Sequence, residues 1–98
     1  MLVAFSISPV AGDETGGVSA AVAEAIRVVR DSGLPYETNA MFTNVEGEWD
    51  EVMAVIKQAV DVVARHSPRV GLVLKADIRP GRTGQLSEKV VRIEERLA

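Results

Sequence analysis

The spacing at which apolar residues recur switches back and forth along this chain between the two-residue period of a strand and the 3.6-residue period of a helix. That alternation narrows the available folds more than any other feature. In residues 2–8, LVAFSIS, Val3, Phe5 and Ile7 fall on one side of an extended strand, and Ala4, Ser6 and Ser8 on the other. Pro9 has no backbone N–H and is expected to end the ladder. VAGDETGG reads as a loop from its glycines and polar residues. Over 18–31 the period lengthens: Val18, Val22, Ala25, Ile26 and Val29 define a helical stripe, with Ser19 placed to cap it and Val18 as a staple partner. Gly33 and Pro35 stop that helix.

Residues 35–47 read as two short strands, the second over Thr43–Glu46, joined tightly enough for a hairpin whose register stays open. A second helix is expected over 49–65, burying Val52, Val55, Ile56, Ala59, Val60 and Val63. Asp50 and Glu51 suit its positive end, and Pro68 punctuates it. RVGLVLKADIR (69–79) alternates as a fourth strand, and a last helix covers 84–97 with Leu86, Val90, Ile93 and Leu97 on one side. The order β-α-β-β-α-β plus a helix predicts an α+β ferredoxin-like sandwich, a single domain over residues 1–98 with a four-stranded antiparallel sheet and an extra C-terminal helix.

Composition removes several function classes. With 98 residues, 47% hydrophobic but only 4% aromatic, the core must be built from Val, Ala, Leu and Ile. A domain this small is marginal alone, which favours association. The absence of cysteine excludes disulfides, thiolate zinc sites and cysteine nucleophiles, and a single histidine excludes His-rich metal sites. A net charge of -3 with scattered basic residues offers no nucleic-acid footprint. The small exception is Arg79-Pro80-Gly81-Arg82, either a one-anion site or a solvated turn. No basic leader precedes the first apolar run and no run approaches membrane-spanning length, so a cytoplasmic protein is expected.

The candidate site lies on and beside the sheet. If Val3, Phe5 and Ile7 face the helices, the opposite face carries Ser6, Ser8, Val73, Lys75, Asp77 and Arg79, together with either Thr43 and Val45 or Asn44 and Glu46. This mixed face is either solvated or an interface between subunits. Glu46 has two readings: a carboxylate accepting backbone N–H groups near the start of the second helix, or a ligand group sharing a pocket with Asn39, Thr43 and Lys75. Carboxylate, amide and hydroxyl together suit a flat nitrogenous ring. Lys75 has its own plain alternative, an ion pair with Asp77 or Glu46. His66, beside Ser67 and Pro68, reads as a surface histidine rather than a base. The glycines at 12, 16 and 17 lack any phosphate-loop spacing, and no Ser/His/acid set can be assembled.

The stretches LVAFSISPVA, VSAAVAEAIRVVRDSGLPYETNAMFTNVEGEWDEVMAVIKQA and DIR…LSEKVVRIEERL cover nearly the whole chain and resemble the small thiamine-binding protein family. The most specific part is SGLPYETNAMFTNVEGEWDEV. The resemblance implies a ferredoxin-like fold, dimers formed by sheet pairing that assemble to homotetramers, and binding of thiamine or its hydroxymethyl-pyrimidine part without turnover or cofactor. It implies that Glu46 meets the aminopyrimidine, with Asn39 and Thr43 lining the same region. Ser6 or Ser8 would hydrogen-bond from the first strand, and Lys75 and Asp77 form a polar pair on the fourth. Phe42 stands where many relatives carry glycine, which bears on pocket size. The competing expectations are a structural or regulatory homo-oligomer without a metabolite, and an enzyme using Glu46 or Asp77 as acid or base.

Overall fold

A computed structural model of the chain describes residues 1–10 and 18–98, and the side chains of all of these but Val18 and Ser19. The expected loop at 10–17, apart from Val10, therefore lies outside the described residues. The alternation in the first segment forms β1 (Leu2–Pro9), followed by α1 (Val18–Asp31), the hairpin β2 (Tyr36–Thr38) and β3 (Thr43–Glu46), α2 (Trp49–Ala64), β4 (Val70–Asp77) and α3 (Gln85–Leu97). One antiparallel sheet runs in the order β2-β3-β1-β4. This is the ferredoxin-like α+β topology with one added helix.

Pro9 and Ser19 take places other than those expected of them, for local reasons. Pro9 sits inside the ladder as its last residue, opposite Val70. A strand end tolerates the missing N–H. The first helix has already begun at Val18, so Ser19 lies within it rather than capping it.

The register settles the two faces. Val3 pairs with Val45 and Ala76, and Phe5 with Thr43 and Leu74, so these side chains share the helix-covered side. There Val3, Phe5 and Ile7 meet Ala25 and Val29 of α1 and Val52, Val55, Ile56, Ala59 and Val63 of α2 in one buried cluster. The opposite face carries the rows Glu46–Leu2–Asp77 and Asn44–Ala4–Lys75, then Ser6–Val73 and Ser8–Gly71. Strand β3 thus contributes Asn44 and Glu46 to the open face, resolving the alternative left by its sequence.

The third helix joins the open face only by its first turns. Residues 90–98 are exposed along their length, and the molecule measures 47 × 31 × 20 Å. No described helix is long and apolar enough to cross a membrane.

Candidate functional site

The carboxylate of Glu46 is 7% exposed and caps a helix, but a different one from that expected. Its Oε2 accepts the backbone N–H of Gln85 at 3.0 Å and its Oε1 that of Leu86 at 3.2 Å. The residue before α3 is Gly84, at φ 69°, which has no side chain to satisfy the first N–H groups of the helix. A charge 39 residues away in sequence does so instead, at the positive end of the helix dipole. The second helix needs no help from Glu46: the N–H of Glu48 donates to Glu51 Oε1 at 3.3 Å.

Asn39, Thr43 and Ser6 come together elsewhere. They line a cavity of about 200 Å³ between β1, β3 and α1, under the 39–42 turn. The turn is built by Asn39. Its Oδ1 accepts the N–H groups of Met41 and Phe42, both at 2.9 Å, and its own N–H donates to the Phe42 carbonyl at 2.9 Å. With Oδ1 occupied by two donors, the side-chain NH₂ of Asn39 must be the group left over, and none of the described hydrogen bonds uses it. Beside it, the hydroxyls of Thr38 and Thr43 lie 3.1 Å apart and share one hydrogen bond, which leaves one O–H and several lone pairs. The cavity walls are apolar: Phe5, Ile7, Val22 and Ile26 from the core side, Met41 and Phe42 from the turn. Phe42 is half-buried there, so its bulk narrows the cavity. Strand β1 outruns β3, whose first residue Thr43 sits opposite Phe5, and this offset opens the space beside Ser6 and Ile7.

The remaining candidates fall apart from this cavity. Lys75 and Asp77 line a second hollow of about 160 Å³ on the open face, with Leu2, Ala4, Asn44 and Lys89. Asp77 accepts a hydrogen bond from Lys89 Nζ, so the partner expected of Lys75 is taken by α3. Chiefly through that bond, and against some desolvation, Asp77 titrates below the usual aspartate range. Ser8 is exposed opposite Gly71. Within one chain, therefore, Glu46 does not share a cavity with Asn39 and Thr43, because it stands at the far end of β3 and points to the other face from Thr43; on the open face it lines a small hollow with Asp77, Arg79 and Arg82, beside the one that Lys75 lines. Thr38 is the cavity residue that sequence reasoning passed over; the pairing Thr38–Thr43 follows only once the hairpin register is known. His66 makes an exposed contact with Glu24 at 3.1 Å, bridging α2 and α1. Among the described residues, no three His, Asp or Glu side chains gather to hold a metal ion.

Comparison with known proteins joins this geometry to a family. Residues 3–94 match the family described as thiamine-binding protein. The UPF0045 protein Mb1933 of Mycobacterium bovis is 54% identical over 98 residues, covering 99% of this chain and 94% of that one. The solved structure of the hypothetical protein MJ1052 of Methanocaldococcus jannaschii superposes with a TM-score of 0.83 at 35% identity, covering 96% and 95% of the two chains. A Thermotoga maritima structure, provisionally described as a thiamine biosynthesis/salvage protein, gives a TM-score of 0.78 at 28% identity, covering 94% and 96%. The chain belongs to the thiamine-binding protein family.

Proposed function

We propose that this protein binds thiamine or a hydroxymethyl-pyrimidine-like metabolite and does not turn it over. The observation that carries the reading is the cavity under the 39–42 turn, where a free amide NH₂ and a hydroxyl pair stand over apolar walls. An aminopyrimidine has ring nitrogens that accept hydrogen bonds and an exocyclic amine that donates them. The Asn39 NH₂ and a threonine O–H match the ring nitrogens; the Thr38 and Thr43 lone pairs match the amine. A volume of about 200 Å³ is below the roughly 300–1,000 Å³ of sites that enclose drug-sized ligands. It suits one ring held inside, with a second ring or chain projecting outward. Among the described residues the polar set contains no nucleophile paired with a base, which fits binding without chemistry. In this reading Asn39 and Thr43 contact the ligand, Ser6 stands at the cavity margin on the strand that borders it, and Glu46 supports the fold. Lys75, Asp77 and Ser8 act on the open face.

The same reading includes assembly. Val73 is 60% exposed on the open face, and Val90, Ile93 and Leu97 of α3 are 50%, 61% and 80% exposed. This exposed apolar surface, which further copies of the chain would bury, supports a homodimer that assembles to a homotetramer, and the reading places it in the cytoplasm. The rival reading, a structural or regulatory oligomer without a metabolite, draws on that same apolar surface. The two separate in a titration with hydroxymethyl-pyrimidine: saturable binding weakened by Thr43→Val supports the first, and a folded oligomer that takes up neither this compound nor thiamine supports the second.

A further inference from the structure

The sequence Arg79-Pro80-Gly81-Arg82 has no part in the cavity under the 39–42 turn. In the fold it closes a tight turn: the N–H of Arg82 donates to the Arg79 carbonyl at 3.1 Å. Proline at the second position and glycine at the third, with φ 79° at Gly81, are what a type II turn requires. The turn holds two arginines at its two ends, side by side. Both are exposed, and neither forms an ion pair with a carboxylate among the described residues.

The turn also forms one wall of a hollow of about 240 Å³ whose opposite wall is Trp49, the first residue of α2. Trp49 is the sole tryptophan of the chain and is 54% exposed, so the core does not use its ring. Ile78 and Met1 add apolar surface, and Met1 also brings its ammonium group, which donates to the Gly47 carbonyl at 2.9 Å. Glu48 is the one carboxylate in the wall. Its backbone N–H is engaged with Glu51, and its side chain makes no ion pair with either arginine. Two guanidinium groups carried at the two ends of one tight turn can converge on a shared anion. Guanidinium forks match the oxygens of a phosphate in paired hydrogen bonds. A flat indole face beside them offers stacking to an aromatic ring.

We infer that the hollow between the Arg79–Arg82 turn and Trp49 is a second ligand site, separate from the cavity under the 39–42 turn, for a small aromatic phosphate monoester. Its phosphate lies between Arg79 and Arg82 and its ring lies against Trp49. Two carboxylates, Glu46 and Asp77, line a small neighbouring hollow with both arginines, but Glu46 is engaged by the Gln85 and Leu86 N–H groups and Asp77 by Lys89, and neither forms an ion pair with Arg79 or Arg82.

Trp49 provides the readout. Phenyl phosphate, inorganic phosphate and phenol are titrated into the full-length protein while its fluorescence is followed, with calorimetry in parallel. Phenyl phosphate is expected to quench Trp49 saturably. Inorganic phosphate and phenol are each expected to bind at least about tenfold more weakly, because each supplies only half of the recognition. Arg82→Ala and Arg79→Ala each weaken phenyl phosphate by about tenfold or more, and Arg82→Lys, which keeps the charge but not the fork, falls between. The inference is overturned if phenyl phosphate gives no saturable signal, or if the arginine variants bind it as the wild type does. Inorganic phosphate binding as tightly as phenyl phosphate overturns the aromatic half, and phenol doing so overturns the anionic half. Circular dichroism checks that each variant is folded.

Discussion

Replacing Glu46 with glutamine tests how α3 is held. The carboxylate gives one oxygen to Gln85 N–H and the other to Leu86 N–H, at 3.0 and 3.2 Å. Glutamine keeps one acceptor and turns an NH₂ towards the other N–H, which is also a donor. One charge-assisted hydrogen bond is lost, a loss of about 1.5–3 kcal/mol. The charge at the helix N-terminus is lost too, about 0.3–1 kcal/mol more. The sum is roughly 2–4 kcal/mol, a large fraction of the roughly 5–15 kcal/mol that holds an ordinary domain together. Because α3 touches the rest of the fold mainly through its first turns, much of this loss is expected as local detachment. Amide hydrogen exchange at Gln85 and Leu86 reads it directly. Protection there falls by about tenfold for every 1.4 kcal/mol. Thermal melting at fixed protein concentration reads whatever part is global, at about 4–8 °C per kcal/mol for a domain of this size. Unchanged exchange at both amides together with an unchanged melt would refute the capping role.

Two further predictions concern the open face. Asp77 titrates below its ordinary value because Lys89 bonds to it; a depressed carboxyl contributes stability above its unfolded pKa of about 3.9 and loses it as pH falls through the folded value. Proton-detected titration of Asp77 is expected to show its pKa moving up towards the ordinary range in Lys89→Met, with a smaller loss of stability in acid than in wild type; an unchanged pKa sinks this account of the pair. If the proposed assembly forms through α3, substituting Ile93 and Val90, 61% and 50% exposed, with aspartate is expected to shift sedimentation towards the monomer while the secondary structure persists. An unaltered sedimentation coefficient would show that this stripe is not the contact.

Where the sequence was legible, one side of an element was uniformly apolar. Val3, Phe5 and Ile7 could face only a core, and the stripe from Val52 to Val63 could pack only against that sheet. The hairpin was harder. Its connection NAMF contains no glycine and is closed by the Asn39 side chain, so nothing in the residues announced that Thr38 would stand opposite Thr43. Glu46 was noticed for the right chemistry and given the wrong partner. A carboxylate accepting backbone N–H groups was foreseen, but the helix it meets begins at Gln85, and no local pattern encodes a contact across 39 residues. The division of Thr43 from Lys75 and Asp77 has the same origin, since strand parity sends Thr43 to the helix-covered side and Lys75 and Asp77 to the open face of one sheet.

Calorimetric titration with thiamine and with hydroxymethyl-pyrimidine, using wild type, Thr43→Val and Glu46→Gln, tests the central claim most directly. The account predicts saturable binding by the wild type. Thr43→Val should weaken it by about tenfold, the loss of one hydrogen bond of roughly 1.4 kcal/mol. Glu46→Gln, though less stable, should keep its affinity at a temperature where it is folded. No heat from a folded wild-type protein, or binding that depends on Glu46 and not on Thr43, would contradict it.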